Sequence, residues 1–241
     1  MSMKIGILGA GHVGSVIARR ATEAGHEVVL SFARDPADLV ALAVQLGPRA
    51  QAGTVAEAAQ ADFLVMSVPW AAIPAVLAQA GPLAGKVLID TSNPDASNPL
   101  HVEGLLTLPK GVTSGSFNAA RLPGVTLIKA FNTLTAGFQA EAQQHPGQTA
   151  MFFCGGDAHS KALAAQLIVA QGFAPVDLGS LAEGVLMDAP KREGAVYGEA
   201  FTPDNARQIA ALAATNLPAA MRLASETREV FTDPTATRPS R

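Results

Sequence analysis

This 241-residue chain has one cysteine (Cys154), one tryptophan (Trp70) and one tyrosine (Tyr197). A lone thiol excludes an internal disulfide and fits a reducing compartment. Charge is scarce as well: 15% of residues are Asp, Glu, Lys or Arg, against about 25% in an average soluble domain. The net charge of −3 supplies neither a basic field for nucleic acid nor a polybasic patch for a membrane surface. The histidines at 12, 26, 101, 145 and 159 are scattered without metal-ligand spacing, so no metal site is expected. No nucleophile–base pair or carboxylate dyad is visible, and no internal repeat.

What is abundant is apolar surface, at 49% of residues. Residues 63–85 carry no charge and are long enough to span a bilayer. Pro69, Pro74 and Pro82 interrupt them, so a strand, a turn and a helix are expected instead. Lys4 before an apolar run faintly imitates a signal peptide, but the glycine spacing and the Arg19-Arg20 pair favour a globular first strand and helix. A soluble cytoplasmic protein is expected.

Short apolar runs alternate with amphipathic ones, as in a parallel sheet with crossover helices. Strands are expected at 3–8, 27–31, 62–67, 86–90, 125–130, 150–154 and 174–177. Helices are expected at 12–24, 37–46, 55–60, 71–80, 135–143 and 158–171. Residues 91–124, rich in Pro, Asn, Ser and Gly, read as a long excursion between strands. Residues 204–230 read as helical and split at Pro218. Their run IAALAATNLPAAMRLA is more apolar than a lone surface helix should be, so a two-fold dimer is expected through it. The domain reading is 1–182 for the sheet, 183–230 for a loop and helical segment, and 231–241 for a flexible tail.

Gly9-Ala10-Gly11-His12-Val13-Gly14 fits G-x-G-x-x-G between an expected strand and helix, with GHEVVL supplying the second strand. Gly9 makes the tight turn, Gly11 lets backbone approach a pyrophosphate, and Gly14 permits close helix–strand packing. The helix N-terminus aims amide N–H groups and a partial positive charge at that pyrophosphate. His12 is expected at the helix start beside the phosphates. The fold class is therefore α/β: a doubly wound, Rossmann-type, mostly parallel sheet with a short C-terminal helical extension.

NAD-binding sheets of this kind usually end the second strand on an acid that holds a ribose hydroxyl. Here the strand ends on Leu30 and Ser31. Asp35 is the nearest acid, but it precedes Pro36 and suits a helix cap. Ser31 and Arg34 together suit the 2′-phosphate of NADP, which an arginine can bind through two hydrogen bonds. At three further strand ends stand Ser67-Val68-Pro69-Trp70, Asp90-Thr91-Ser92-Asn93-Pro94 and Lys129-Ala130-Phe131-Asn132-Thr133. Ligands of open α/β sheets bind at such ends. For Trp70, core packing and cofactor contact are both open.

GAGHVG, GHEVVLSFARDP, SVPWAA, DTSNP, KAFNT and FFCGGDAHSKALAAQLIVAQGFAPVDLGSL stand in this order. Over residues 3–182 they resemble the NADP-dependent oxidoreductases of the deazaflavin (coenzyme F-420) type. The cytoplasmic domains of membrane metalloreductases share this core. The resemblance implies that Gly9, Gly11, His12, Val13 and Gly14 border the pyrophosphate. It implies that Ser31 and Arg34 take the 2′-phosphate. Ser67, Val68, Pro69 and Trp70 then flank the nicotinamide, with Asn93, Ala130, Phe131 and Asn132 at its other side. Residues 95–124, proline-broken where relatives carry a clearer helix, and residues 183–241 depart from the family pattern.

Hydride transfer between a nicotinamide and a flavin-like ring needs two stacked rings and little acid–base chemistry. The expected activity is NADPH-dependent hydride transfer to a small-molecule acceptor, a deazaflavin or flavin, with Asn132 and Trp70 acting by positioning alone. Three readings stand beside it: a noncatalytic NADP-binding redox regulator, reduction of a ferric chelate or quinone, and reduction of a small carbonyl or imine. The last needs a proton donor, for which Tyr197 is the sole late candidate. Lys129 reads as structural, since too few residues follow it for the large helical domain that carries the active lysine in hydroxyacid dehydrogenases.

Overall fold

A computed structural model describes residues 2–32, 35–94, 108–109, 111–142, 144–189 and 193–229. Eight strands form one sheet: β1 Lys4–Leu8, β2 Glu27–Ser31, β3 Ala50–Ala52, β4 Phe63–Met66, β5 Val87–Asp90, β6 Thr126–Ala130, β7 Ala150–Gly155 and β8 Ala174–Asp177. Their order is β3-β2-β1-β4-β5-β6-β7-β8, and every neighbouring pair is parallel except β6 with β7. Winding runs outward from β1 in both directions, so the reversal falls between β1 and β4. That crevice at the carboxyl ends is where such sheets take ligands.

The strands are apolar on both sides because helices cover both faces. The first cluster packs Ile5, Ile7, Val65, Ile89 and Ile128 against α1 (His12–Glu23), through Ile17, Ala18 and Ala21. The second cluster packs Leu8, Leu64, Met66, Leu88 and Leu127 on the opposite face. There they meet Val55 and Ala58 of α3 (Val55–Ala58) and Ile73 and Val76 of α4 (Ile73–Ala80). Between β2 and β3 runs α2 (Pro36–Leu46). The uncharged stretch 63–85 resolves into β4, a single tight helical turn at Trp70–Ala72 and α4, as the prolines imply. Among the described residues no helix is long and apolar enough to cross a membrane.

Two elements differ from the sequence expectation. β3 reads AQA, three residues with no branched or aromatic side chain, and it forms only as an edge strand beside β2. The 91–124 excursion contains α5 (Ser114–Ala120), started by Thr113, whose hydroxyl accepts from Ser116 N at 3.1 Å. Gly, Ser and Asn in SGSFNAA hide this helix from propensity. Residues 95–107 of the excursion lie outside the described residues.

Beyond β6 come α6 (Ala136–Ala142) and α7 (Ala158–Ala170). The C-terminal segment forms α8 (Pro203–Ala213) and α9 (Leu217–Thr227), with Asn216 capping α9 and Pro218 in its first turn. Their apolar sides find partners within the chain. Ala206, Ile209, Ala213, Ala220 and Ala224 join Phe152, Val176, Leu186 and Phe201 in a third cluster. Residues 183–189 and 193–229 therefore complete the core over β7 and β8. The expected tail, 231–241, lies outside the described residues.

Candidate functional site

The three loop glycines differ in what demands them. Gly9 has φ +112°, and a Cβ there would sit 2.3 Å from Ser67 O. A Cβ on Gly14 would sit 2.0 Å from Gly9 O. Both are required by the loop's own packing, which ties Gly9 N (3.0 Å) and Ala10 N (3.2 Å) to Ser31 O. Gly11 caps α1 at φ −77°, open to any residue, and among the described residues nothing beyond its own chain neighbours and helix lies within 4 Å of where its Cβ would stand. Packing among the described residues therefore does not demand glycine at position 11. Beside it the first turn of α1 exposes His12 and half-exposes Val13. No side chain caps these amides, so their N–H groups and the helix dipole can meet a pyrophosphate.

At the end of β2, Asp35 Oδ1 accepts from Ala37 N at 2.9 Å, which makes it the α2 cap. Phe32 occupies the left-handed region at φ 56°, a costly conformation for an aromatic residue. Ser31 is engaged within the sheet. It is fully buried and donates its single hydroxyl proton to Ile7 O at 2.9 Å, so in this geometry it braces β2 against β1 rather than offering a donor to a phosphate. Arg34 lies outside the described residues.

Of the two roles open to Trp70, its surroundings favour core packing. Its ring is 2% exposed and stacks on Phe117 of α5 with centroids 5.8 Å apart. The Arg121 guanidinium lies 4.1 Å from the Phe117 ring centroid. Burial pulls that guanidinium below its ordinary pKa. No face of the indole is left for a nicotinamide. Val68 is also buried, whereas Ser67 is half-buried and Pro69 exposed.

The ends of β5 and β6 carry a polar network that the sequence does not reveal. Asp90 and Lys129 are both buried and stand opposite each other in register, with Nζ 3.1 Å from Oδ2. Lys129 also donates to Ser92 O. Asp90 Oδ1 accepts from Ser92 N at 2.8 Å and Oγ at 2.6 Å, and Oδ2 accepts from Asn118 Nδ2 at 2.9 Å. Above this pair, Asn93 Nδ2 donates to Asn132 O, while Asn132 Nδ2 donates to Asn93 Oδ1, each at 2.9 Å. Asn132 Nδ2 also donates to Met187 O at 2.7 Å. Both of these partners are acceptors, so the orientation of the Asn132 amide is determined.

Ala130, Phe131 and Asn132, expected to face a nicotinamide, are 0%, 1% and 5% exposed. Phe131 is left-handed at φ 60°, and its carbonyl accepts from Gln139 Nε2 at 3.1 Å. These residues shape the strand end from beneath; Asn93 is the half-buried member. The missed signal was a charge at the end of each of two buried apolar strands, VLID and TLIKA, since buried charges need partners.

The C-terminal segment is fastened over this end. Asp188 accepts from Ser114 N at 2.9 Å and from Ser114 Oγ. Thr113 Oγ1 donates to Leu181 O at 2.7 Å, and Gly198 N to Thr133 O at 2.8 Å. Tyr197 is half-buried beside Gly198. Cys154 lies opposite Lys129 on β7, and burial pushes its thiol up to about 12, so it is no nucleophile at neutral pH. Among the described residues no cluster of His, Cys, Asp and Glu could hold a metal ion. A separate cavity of about 400 Å³, lined by Phe138, Glu141, His145, Thr202 and Glu229 among others, touches no residue of the glycine loop.

Residues 4–94 match the family model described as NADP oxidoreductase, coenzyme F420-dependent. The chain is 29% identical to Metalloreductase STEAP3 of Rattus norvegicus over 196 residues. That alignment covers 77% of this chain and 36% of the relative, so the chain spans about a third of the metalloreductase's length. Among solved structures, a hypothetical protein of Sinorhizobium meliloti superposes with a TM-score of 0.69 at 28% identity, covering 85% of this chain and 97% of that one. An inferred F420-dependent NADP-reductase of Arthrobacter sp. fb24 superposes with a TM-score of 0.61 at 29% identity, covering 76% and 87%. The resemblance seen in the motifs and the Rossmann-type architecture both hold.

Proposed function

We propose that this chain, an oxidoreductase whose residues 4–94 are of the deazaflavin-dependent NADP oxidoreductase type, transfers a hydride between NADP(H) and a deazaflavin or flavin. The observation that carries the reading is Gly11: glycine is kept where the fold leaves room for any side chain, at an uncapped helix N-terminus. Backbone at Gly11, His12 and Val13 takes the pyrophosphate. Arg34 takes the 2′-phosphate, in keeping with the absence of a free acid at the end of β2, where Asp35 is engaged as a cap. Ser67, Pro69 and Asn93 keep exposed surface at the reversal crevice and flank the nicotinamide.

When bound, the cofactor supplies the hydride. The chain's own residues position it and exclude water, since the polar side chains at the β5 and β6 ends are engaged with one another. Nothing in that arrangement prepares a proton donor, which favours a ring acceptor over a carbonyl or imine. The whole-protein activity of the metalloreductase relative supports a ferric chelate as the next acceptor, with a quinone beside it.

The proposed working unit is a two-fold homodimer in the cytoplasm, formed through α8 and α9, whose Leu212, Leu217, Met221 and Leu223 pack against the third cluster and stay half-buried. Light scattering that reports only monomer at micromolar concentration removes the dimer. The activity is tested by NADPH oxidation against deazaflavin, flavins, ferric chelates, quinones and small carbonyls. Turnover with deazaflavin or flavin is expected to exceed the rest. Binding of NADPH without oxidation by any of them transfers the reading to a noncatalytic redox regulator.

A further inference from the structure

Asp90 and Lys129 are placed where a sheet interior would ordinarily use two aliphatic side chains. Their neighbours on the same sheet face, Leu88 and Leu127, are buried in the second cluster. A buried ion pair is not an efficient way to stabilise a sheet, because desolvating both charges offsets much of their attraction. What the pair does accomplish is geometric. Two atoms of Ser92 donate to Asp90, and the Ser92 carbonyl accepts from Lys129. Thr91 Oγ1 adds a bond to Met66 O at 3.3 Å, the end of β4. The turn after β5 is thus fixed from three sides before the chain reaches Asn93. Asn93 in turn exchanges two hydrogen bonds with Asn132, which holds the covering segment at Met187 O.

We infer that Lys129 and Asp90 are positioning residues for the nicotinamide end of the site, acting through Ser92 and Asn93. The ammonium and carboxylate set the turn, the turn sets the Asn93 side chain, and Asn93 presents the half-exposed surface of this assembly to the crevice beside Ser67 and Pro69. The inference rests on the reading that NADP(H) binds at this edge. It adds that the pair is kept for the alignment of one end of the ligand, beyond any contribution to stability.

The test compares two probes by calorimetry: NADPH, which occupies both ends of the site, and 2′-phospho-ADP-ribose, which lacks the nicotinamide. Lys129→Met alone leaves a buried carboxylate unpaired and is expected to lower the melting temperature. The double variant Asp90→Leu/Lys129→Met removes both charges but also the buried partners of Ser92 and Asn118, so it is expected to melt below the unmodified protein and above Lys129→Met. It should bind 2′-phospho-ADP-ribose within about twofold of the unmodified protein, while the extra affinity of NADPH over the fragment falls about tenfold. Asn93→Ala, a half-buried change that leaves the pair intact, should show the same selective loss and covers the case in which the double variant does not fold. If the double variant or Asn93→Ala keeps the full NADPH advantage, or if the unmodified protein shows none, the positioning role is overturned. If the unmodified protein binds neither probe, the NADP(H) reading itself fails, a separate outcome.

Discussion

Beside Gly11, at one end of the carboxyl edge of the sheet, nothing among the described residues beyond its own chain neighbours and helix lies within 4 Å of where a side chain would begin. At the other end Asp90 and Lys129 are 0% and 1% exposed, and their polar atoms are engaged by Ser92, Asn118 and each other. The first end leaves backbone uncovered. The second has its two charges and the Asn132 and Asn118 amide N–H groups engaged, which leaves Asn132 Oδ1 and Asn118 Oδ1 as its buried acceptors without a partner among the described residues. A site that handles phosphate needs donors held ready for a ligand. A site that stacks rings needs walls that do not move and few competing polar groups. The contrast therefore agrees with hydride transfer between rings, in which the chain does its binding at one end and its aligning at the other.

The comparison is broken most heavily at Trp70. Trp70→Ala is expected to cost about 3–5 kcal/mol of stability, as for a large buried aromatic, with NADPH affinity unchanged in whatever remains folded. Chemical unfolding and a titration on the same sample check this; a stable variant with weakened NADPH binding would return Trp70 to the site. Arg34→Ala sharpens the phosphate end. It is expected to narrow the NADPH preference over NADH by about 1.5–3 kcal/mol, one charge-assisted contact. Equal affinities for the two dinucleotides in the unmodified protein would remove the NADP assignment.

The smallest effect concerns pH. Burial pushes the Cys154 thiol up to about 12 from 9.0, so the folded chain keeps a proton that the unfolded chain releases. That contribution is intact below pH 9 and is lost as pH rises toward 12. Urea midpoints between pH 9 and 11 should fall more steeply for the unmodified protein than for Cys154→Ala. Parallel slopes would show that the thiol is not buried as described.

The open end was legible in the sequence because its determinants are local. Glycine spacing within six residues, an Asp before a Pro, and a strand on either side are all read along the chain, and Asp35 does cap α2. The split at Pro218 is local in the same sense. The filled end was not legible, because Lys129 and Asp90 meet across 39 positions and Ser114 meets Asp188 across 74. Trp70 turned inward because Phe117 waits on a helix that propensity hides. Ser31 looked like a ligand donor, but its hydroxyl was already taken by the neighbouring strand. Side chains at strand ends are alike in sequence whether they point to a ligand or to another strand.

The claim that position 11 is kept open for a dinucleotide is tested most directly by Gly11→Val. Differential scanning calorimetry and NADPH titration are run on the same preparation. The account expects a melting temperature within about 2 °C of the unmodified protein, as for a change that meets no neighbour, together with loss of measurable NADPH binding. A folded Gly11→Val protein that binds NADPH as tightly as the unmodified one would contradict it.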